Sequence, residues 1–143
     1  MNVVITKKEI EKINLCLKKM VSASSAHSVL LIARSGQLIT HHGDTLDIDI
    51  AALSALTAAN FGATAEIARL LGEEEFTLLF HKGKSENVYF SAVGEHVIMV
   101  TLFNDKTSLG LIRLRINQIN EELSQILSSM FDKKATGISQ GSS

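Results

Sequence analysis

The 143-residue chain has no proline and no tryptophan, a single tyrosine, and a single cysteine, Cys16. A lone cysteine cannot close an internal disulfide or complete a thiolate zinc site. It suits a reducing compartment, and within a helix it reads as a small packing residue. Lysine and arginine number 14 against 15 aspartates and glutamates, and aromatic residues make up 5%. That balance lacks the basic footprint of a nucleic-acid binder. The N-terminal MNVVITKKEI has too short an apolar run for a secretory signal, and no stretch is expected to span a membrane. The expectation is one soluble, cytoplasmic domain, large enough to bury about two-thirds of its unfolded surface.

Chemistry is equally sparse. His27, His41, His42, His81 and His96 show no metal-ligand spacing, and no serine sits in an activated-nucleophile pattern. Lys82-Gly83-Lys84-Ser85 ends like a phosphate-binding loop. The earlier glycine of that motif would fall at Leu78, and the segment lies between strands instead of opening a helix, so it reads as a turn. No catalytic residue, cofactor or metal is expected.

What is present centres on Asp47 to Gly72, more than twenty residues rich in alanine and free of proline. Asp47 and Asp49 offer N-terminal caps, and Gly72 stands where a left-handed cap would end a helix. At about 100° per residue, Ile50, Leu53, Leu56, Phe61, Ile67, Leu70 and Leu71 gather on one broad side. The other side holds Ala51, Ser54, Ala55, Ala58, Gly62 and Ala65, with Glu66 and Arg69 only near the end. A helix without a polar face is covered on both sides, by the rest of a monomer or by a partner whose backbone can approach the small residues.

In chain order, Thr6 and Glu9 form a capping-box pattern before a helix with apolar Ile10, Ile13, Leu17 and Met20, fading at Ser22 to Ala26. Lys7, Lys8, Lys12, Lys18 and Lys19 fill its solvated face. Val29 to Ala33 and Leu38 to Thr40 read as strands around a Ser35-Gly36 turn, the first buried on both faces. After the central helix come the acidic turn Glu73-Glu74-Glu75 and three strands: Phe76 to His81, Val88 to Val93 and His96 to Phe103. Asp105, Thr107 or Ser108 caps a last helix with apolar Leu109, Ile112, Ile116, Ile119, Leu123, Ile126 and Met130. The expected class is α+β: a five-stranded, mainly antiparallel sheet, two terminal helices on one face and the central helix on the other. The domain is residues 1–132, and 133–143 is expected to be a disordered tail.

Five segments carry a further signal: Gly36-Gln37-Leu38-Ile39, Leu56-Thr57-Ala58-Ala59-Asn60, Ala68-Arg69-Leu70-Leu71-Gly72-Glu73, Phe80-His81-Lys82-Gly83, and Thr107-Ser108-Leu109-Gly110-Leu111-Ile112-Arg113-Leu114-Arg115. Their order and spacing resemble the roadblock/LC7 family, in particular its bacterial members that partner a small Ras-like GTPase in cell polarity. The similarity runs from about Glu9 to Phe131. The resemblance implies a homodimer joined through the edge Phe76, Thr77, Leu78, Leu79, Phe80 and His81. It implies that the helix-bearing face binds one GTPase of the MglA type and stimulates GTP hydrolysis without inserting an arginine. On this chain the contact surface would be Ala55, Ala58, Ala59, Gly62, Ala65 and Glu66, with Arg69 at the rim. Of the four arginines, only Arg69 is expected near that partner; Arg34 is placed at a strand end, and Arg113 and Arg115 on the opposite face. A scaffold that recruits a GTPase without changing hydrolysis is the alternative.

Overall fold

The computed structural model describes residues 5–76 and 78–141, from 132 onward by backbone alone. Helix α1 spans Lys7–Ser24 and opens on Thr6, whose Oγ1 accepts the Glu9 N–H at 3.1 Å and donates to the Glu9 carboxylate at 2.8 Å. The capping-box pair thus closes side chain to side chain. The helix does not fade at Ser22. It runs to Ser24 and stops at Ser25, which takes a left-handed φ of 62°. Ser24 is fully buried, and its hydroxyl accepts the Ala26 N–H at 3.3 Å, holding the turn.

Strands β1 (Ser28–Ala33) and β2 (Leu38–Gly43) form the first hairpin. Every β1 residue is buried, as expected of a strand covered on both faces. β2 runs past Thr40 to Gly43 because its ladder with β1 continues to Ser28↔Gly43. Helix α2 (Ile50–Leu70) is followed by β3 (Leu79–Lys82), β4 (Asn87–Val93) and β5 (Val97–Phe103). Helix α3 begins at Leu109, with Ser108 Oγ accepting the Leu111 N–H at 3.2 Å. Its backbone continues to Gly141 and so does not stop at the 132/133 boundary. No proline interrupts it there, and the side chains of the expected tail lie outside the described residues.

The sheet order is β2-β1-β5-β4-β3, antiparallel at every pairing. β1, β5 and β4 are therefore interior, and β2 and β3 are the open edges. Alternation along the interior strands divides two cores. Val29, Leu31, Tyr89, Val97, Met99 and Phe103 face α1 and α3, meeting Ile13, Leu17, Met20, Ile112 and Leu123. Leu30, Ile32, Phe90, Ile98 and Val100 face α2 through Ile50, Leu53 and Phe61. The terminal helices and the central helix thus lie on opposite faces. The first face is a deep core under two helices. The second is shallow, under one.

Candidate functional site

Helix α2 is fixed at both ends by its own sequence. Asp49 accepts the Ala52 N–H at 3.0 Å as N-cap. At the other end Gly72 takes a φ of 82°, the Gly72 N–H reaches the Arg69 carbonyl at 3.1 Å, and the Glu73 N–H reaches the Ala68 carbonyl at 2.9 Å. This is a Schellman motif, which only glycine enters without a Cβ penalty.

Between the caps, the covered residues mix small and large side chains. Ser54, Thr57 and Ala68 are buried, and Ile50, Leu53 and Phe61 are half-buried. Ser54 Oγ donates back to the Ile50 carbonyl at 2.8 Å. The apolar side expected as one packed face is split. Leu56, Ile67, Leu70 and Leu71 are 68%, 51%, 76% and 68% exposed. The reason is angular. Ile50, Leu53 and Phe61 fall within about 80° of one another on the helix, while Leu56, Ile67 and Leu70 stand roughly 80–140° from the centre of that stripe. One sheet contact cannot cover both sets.

The flanks of α2 have different neighbours. Leu53 shares a cleft with His81, Phe90 and Leu102, so its flank faces β3 and β4. Leu56 lies further round that flank and Leu70 furthest out, so the exposed apolar stripe is on the β3 side. On the other flank, a Cβ added at Gly36 would stand 3.8 Å from both Ala55 Cα and Ala58 Cβ, so the β1–β2 turn abuts the helix there. Ala55, Ala59, Gly62, Ala65, Glu66 and Arg69 are exposed, and Ala58 is half-buried under the turn. These residues form one continuous surface turned away from the sheet. Among the described residues, a Cβ added at Gly62 would meet no atom within 4 Å, so the site has room for a side chain that the sequence leaves out. Arg69 is paired with Glu66, Nη2 to Oε2 at 2.7 Å and Nε to Oε2 at 2.9 Å.

Arg34 directly follows β1 at the turn, as expected of a strand end, and the structure adds a contact. The Arg34 guanidinium carbon lies 5.1 Å from the centroid of the Phe61 ring, on the α2 face. Sequence reading missed this because Arg34 and Phe61 are far apart in the chain; only the turn at Gly36, folded against α2, brings them together. Arg113 and Arg115 sit on α3, on the opposite face of the sheet.

The expected edge strand is shorter than its sequence pattern. β3 starts at Leu79, opposite Phe90, and ends at Lys82, opposite Asn87. Phe76 and Leu78 precede it in the connection from α2, both exposed, at 36% and 44%. Thr77 lies outside the described residues. Leu79 and Phe80 are half-buried and His81 is exposed; Phe80 stacks on Phe103 at 5.9 Å, and His81 meets the Phe90 ring edge-on at 5.5 Å. Among the described residues β3 pairs with β4 alone, leaving its outer row of backbone groups open.

Lys82-Gly83-Lys84-Ser85 is the β3–β4 turn, with the Gly83 N–H bonded to the Glu86 carbonyl at 2.9 Å and Lys82 Nζ 3.2 Å from Asp105. It opens no helix. A cleft of about 620 Å³ near the start of α2 is lined by His27, Asp44, Asp47 and Glu86, with His27 paired to Glu86. Among the described residues no group of three or more His, Cys, Asp or Glu could hold a metal ion. By length and composition α2 itself could cross a membrane, contrary to the expectation from the sequence. Its polar Ser54 and Thr57 are instead pressed on the sheet, and Glu66 and Arg69 stand on its outer side.

The Roadblock/LC7 domain model matches residues 12–103. Among solved structures the chain is similar to Myxococcus xanthus MglB, with 41% identity, 82% of this chain and 96% of that chain covered, and a TM-score of 0.78. It is similar also to the gliding protein MglB from Thermus thermophilus, with 27% identity, 90% and 97% covered, and a TM-score of 0.81. A roadblock/LC7 domain from Streptomyces avermitilis, 14% identical, has the same fold, with 80% and 96% covered and a TM-score of 0.71. No curated protein matches. Two helices over one face of an antiparallel five-stranded sheet, one capped and largely uncovered helix over the other, and these likenesses lead to one statement: the chain belongs to the roadblock/LC7 family and is an MglB-like member of it.

Proposed function

We propose that this protein is a homodimeric, cytoplasmic GTPase-activating regulator of a small Ras-like GTPase of the MglA type, serving bacterial cell polarity or motility, with no active site of its own. The observation that carries the reading is the exposure of α2. Four large apolar side chains, Leu56, Ile67 and Leu70 on the helix and Leu71 at its C-cap, stand in solvent beside an outward face of alanines and Gly62 with the Glu66–Arg69 pair. Large exposed apolar patches mark interaction surfaces.

The two exposed sides of α2 suit different partners. The Leu56–Ile67–Leu70 stripe lies on the flank toward the open β3 edge, next to exposed Phe76 and Leu78. It fits a second copy of the chain, whose β3 would extend the sheet through the edge residues 76–81. The bare side, Ala55, Ala58, Ala59, Gly62, Ala65 and Glu66 with Arg69 at its rim, remains outward in such a dimer. It lets a GTPase backbone come close. Activation then proceeds by holding the GTPase's own catalytic groups in place, since the family resemblance implies no inserted arginine.

The test combines binding and turnover with a GTP-loaded MglA-type GTPase. Gly62→Arg and Glu66→Arg should each abolish binding while leaving the fold intact, and wild-type protein should raise phosphate release. Binding without acceleration would support the scaffold alternative. Unchanged affinity in both arginine variants would move the contact surface off α2.

A further inference from the structure

We propose that Arg34 is an anion-binding anchor of the α2 face, taking a carboxylate on the outer surface of the GTPase; this rests on the partner and face proposed above. Arg34 is exposed, and among the described residues its guanidinium makes no ion pair or hydrogen bond. Its position is nevertheless held. The Phe61 ring lies under the cation at 5.1 Å, and the Arg34 N–H is bonded to the His96 carbonyl at 3.0 Å. The following turn is closed by Gly36 N–H to Ala33 and Ala33 N–H to Gln37, both at 2.8 Å. A ring face attracts the charge but offers no lone pair, so the five N–H donors still lack an oxygen acceptor.

That combination differs from every other arginine in the chain. Arg69 is neutralised by Glu66 beside it. Arg115 donates to Gln118 at 3.0 Å, and it and Arg113 lie on the opposite face of the sheet. Arg34 is thus the one arginine on the α2 face without a carboxylate partner among the described residues. A guanidinium already held in place loses less freedom on binding than a free one, and its planar fork matches a carboxylate in two parallel hydrogen bonds. Its side chain is drawn back onto the helix surface. It can therefore meet a partner's outer surface and not enter a closed nucleotide pocket. The ligand chemistry is a protein carboxylate.

The experiment uses full-length protein and a GTP-loaded MglA-type GTPase, with affinity and single-turnover hydrolysis measured for Arg34→Ala, Arg34→Lys and Gly62→Arg. Arg34→Ala should weaken binding about tenfold, in keeping with the loss of a charge-assisted contact. Arg34→Lys should recover only part of it, because an ammonium cannot form the paired contact. The rate at saturation should be unchanged, and the penalty should shrink at high salt. If Gly62→Arg fails to bind while Arg34→Ala binds like wild type, the anchor is wrong and the face stands. If neither variant alters affinity, the face itself is wrong and the anchor falls with it. A saturated rate about a thousandfold lower for Arg34→Ala, with the complex still formed, would make Arg34 a finger and overturn the assignment.

Discussion

Thr107 Oγ1 donates to the Ser24 carbonyl at 2.6 Å, joining the last turn of α1 to the residue before the α3 cap. Ser24 is fully buried, and its carbonyl is among those a helix leaves without an internal partner. Thr107→Val keeps the shape and removes the donor. It should cost about 1–3 kcal/mol. Urea unfolding with an unshifted midpoint would show that the tie contributes nothing.

The monomer loses little if the outer stripe of α2 becomes charged, because Leu56 and Ile67 are largely exposed in their own chain. The double variant Leu56→Asp, Ile67→Asp should therefore keep its secondary structure and its cooperative unfolding. Sedimentation should show it as a monomer at micromolar concentration where the wild type is a dimer. A wild-type monomer under those conditions rules out the proposed self-association, and an unaltered dimer in the variant moves it off this stripe.

Arg69 is paired with Glu66 and stands on a helix surface, a poor place from which to reach a nucleotide. Arg69→Ala should weaken GTPase binding modestly and leave the saturated hydrolysis rate within about threefold, under roughly 0.7 kcal/mol of barrier. Single-turnover hydrolysis at saturating protein decides the point. A loss of about a thousandfold would identify an arginine finger, since a finger contributes roughly 10³–10⁵ in rate.

Cys16 should be inert. It is 3% exposed, and burial pushes its thiol above the ordinary 9.0, with the nearby Glu122 carboxylate adding to the effect. A thiol whose folded pKa is raised contributes stability below its ordinary pKa, and that contribution is lost as pH rises through the folded value. Alkylation by iodoacetamide should stay slow through neutral pH and rise only in the alkaline range. Glu122→Gln should advance the onset to lower pH. Fast alkylation at pH 7 in folded protein would contradict the burial.

Most element positions were legible because each is a local matter. The Thr6–Glu9 cap, the Asp49 cap, the Gly72 stop and the Ser108 start are contacts within a few residues of chain, and each forms. The branched run of β1 reads as a strand covered on both faces, and it lies inside the sheet, between β2 and β5. Boundaries were less secure where a partner strand or cap decides them. β2 reaches Gly43 because β1 extends to Ser28 opposite it. Ser25, in a conformation glycine more often takes, ends α1 two residues beyond the start of its polar run.

The candidate face was legible only in part. A helix rich in alanine, with Gly62 inside it, is visible in the chain, and so is its lack of a polar side. Which apolar residues meet the sheet was not, because the pattern offers more apolar positions than one contact can hold. Packing chose Ile50, Leu53 and Phe61, and left Leu56, Ile67 and Leu70 outside. The order of the elements, their caps and the small-residue surface follow from side chains close together in the chain and so are written in it. Tertiary structure alone decided which side of α2 is covered and that Arg34 stands over Phe61. Those depend on how the β1–β2 turn folds against the helix, a contact between residues distant in the chain that no local pattern encodes.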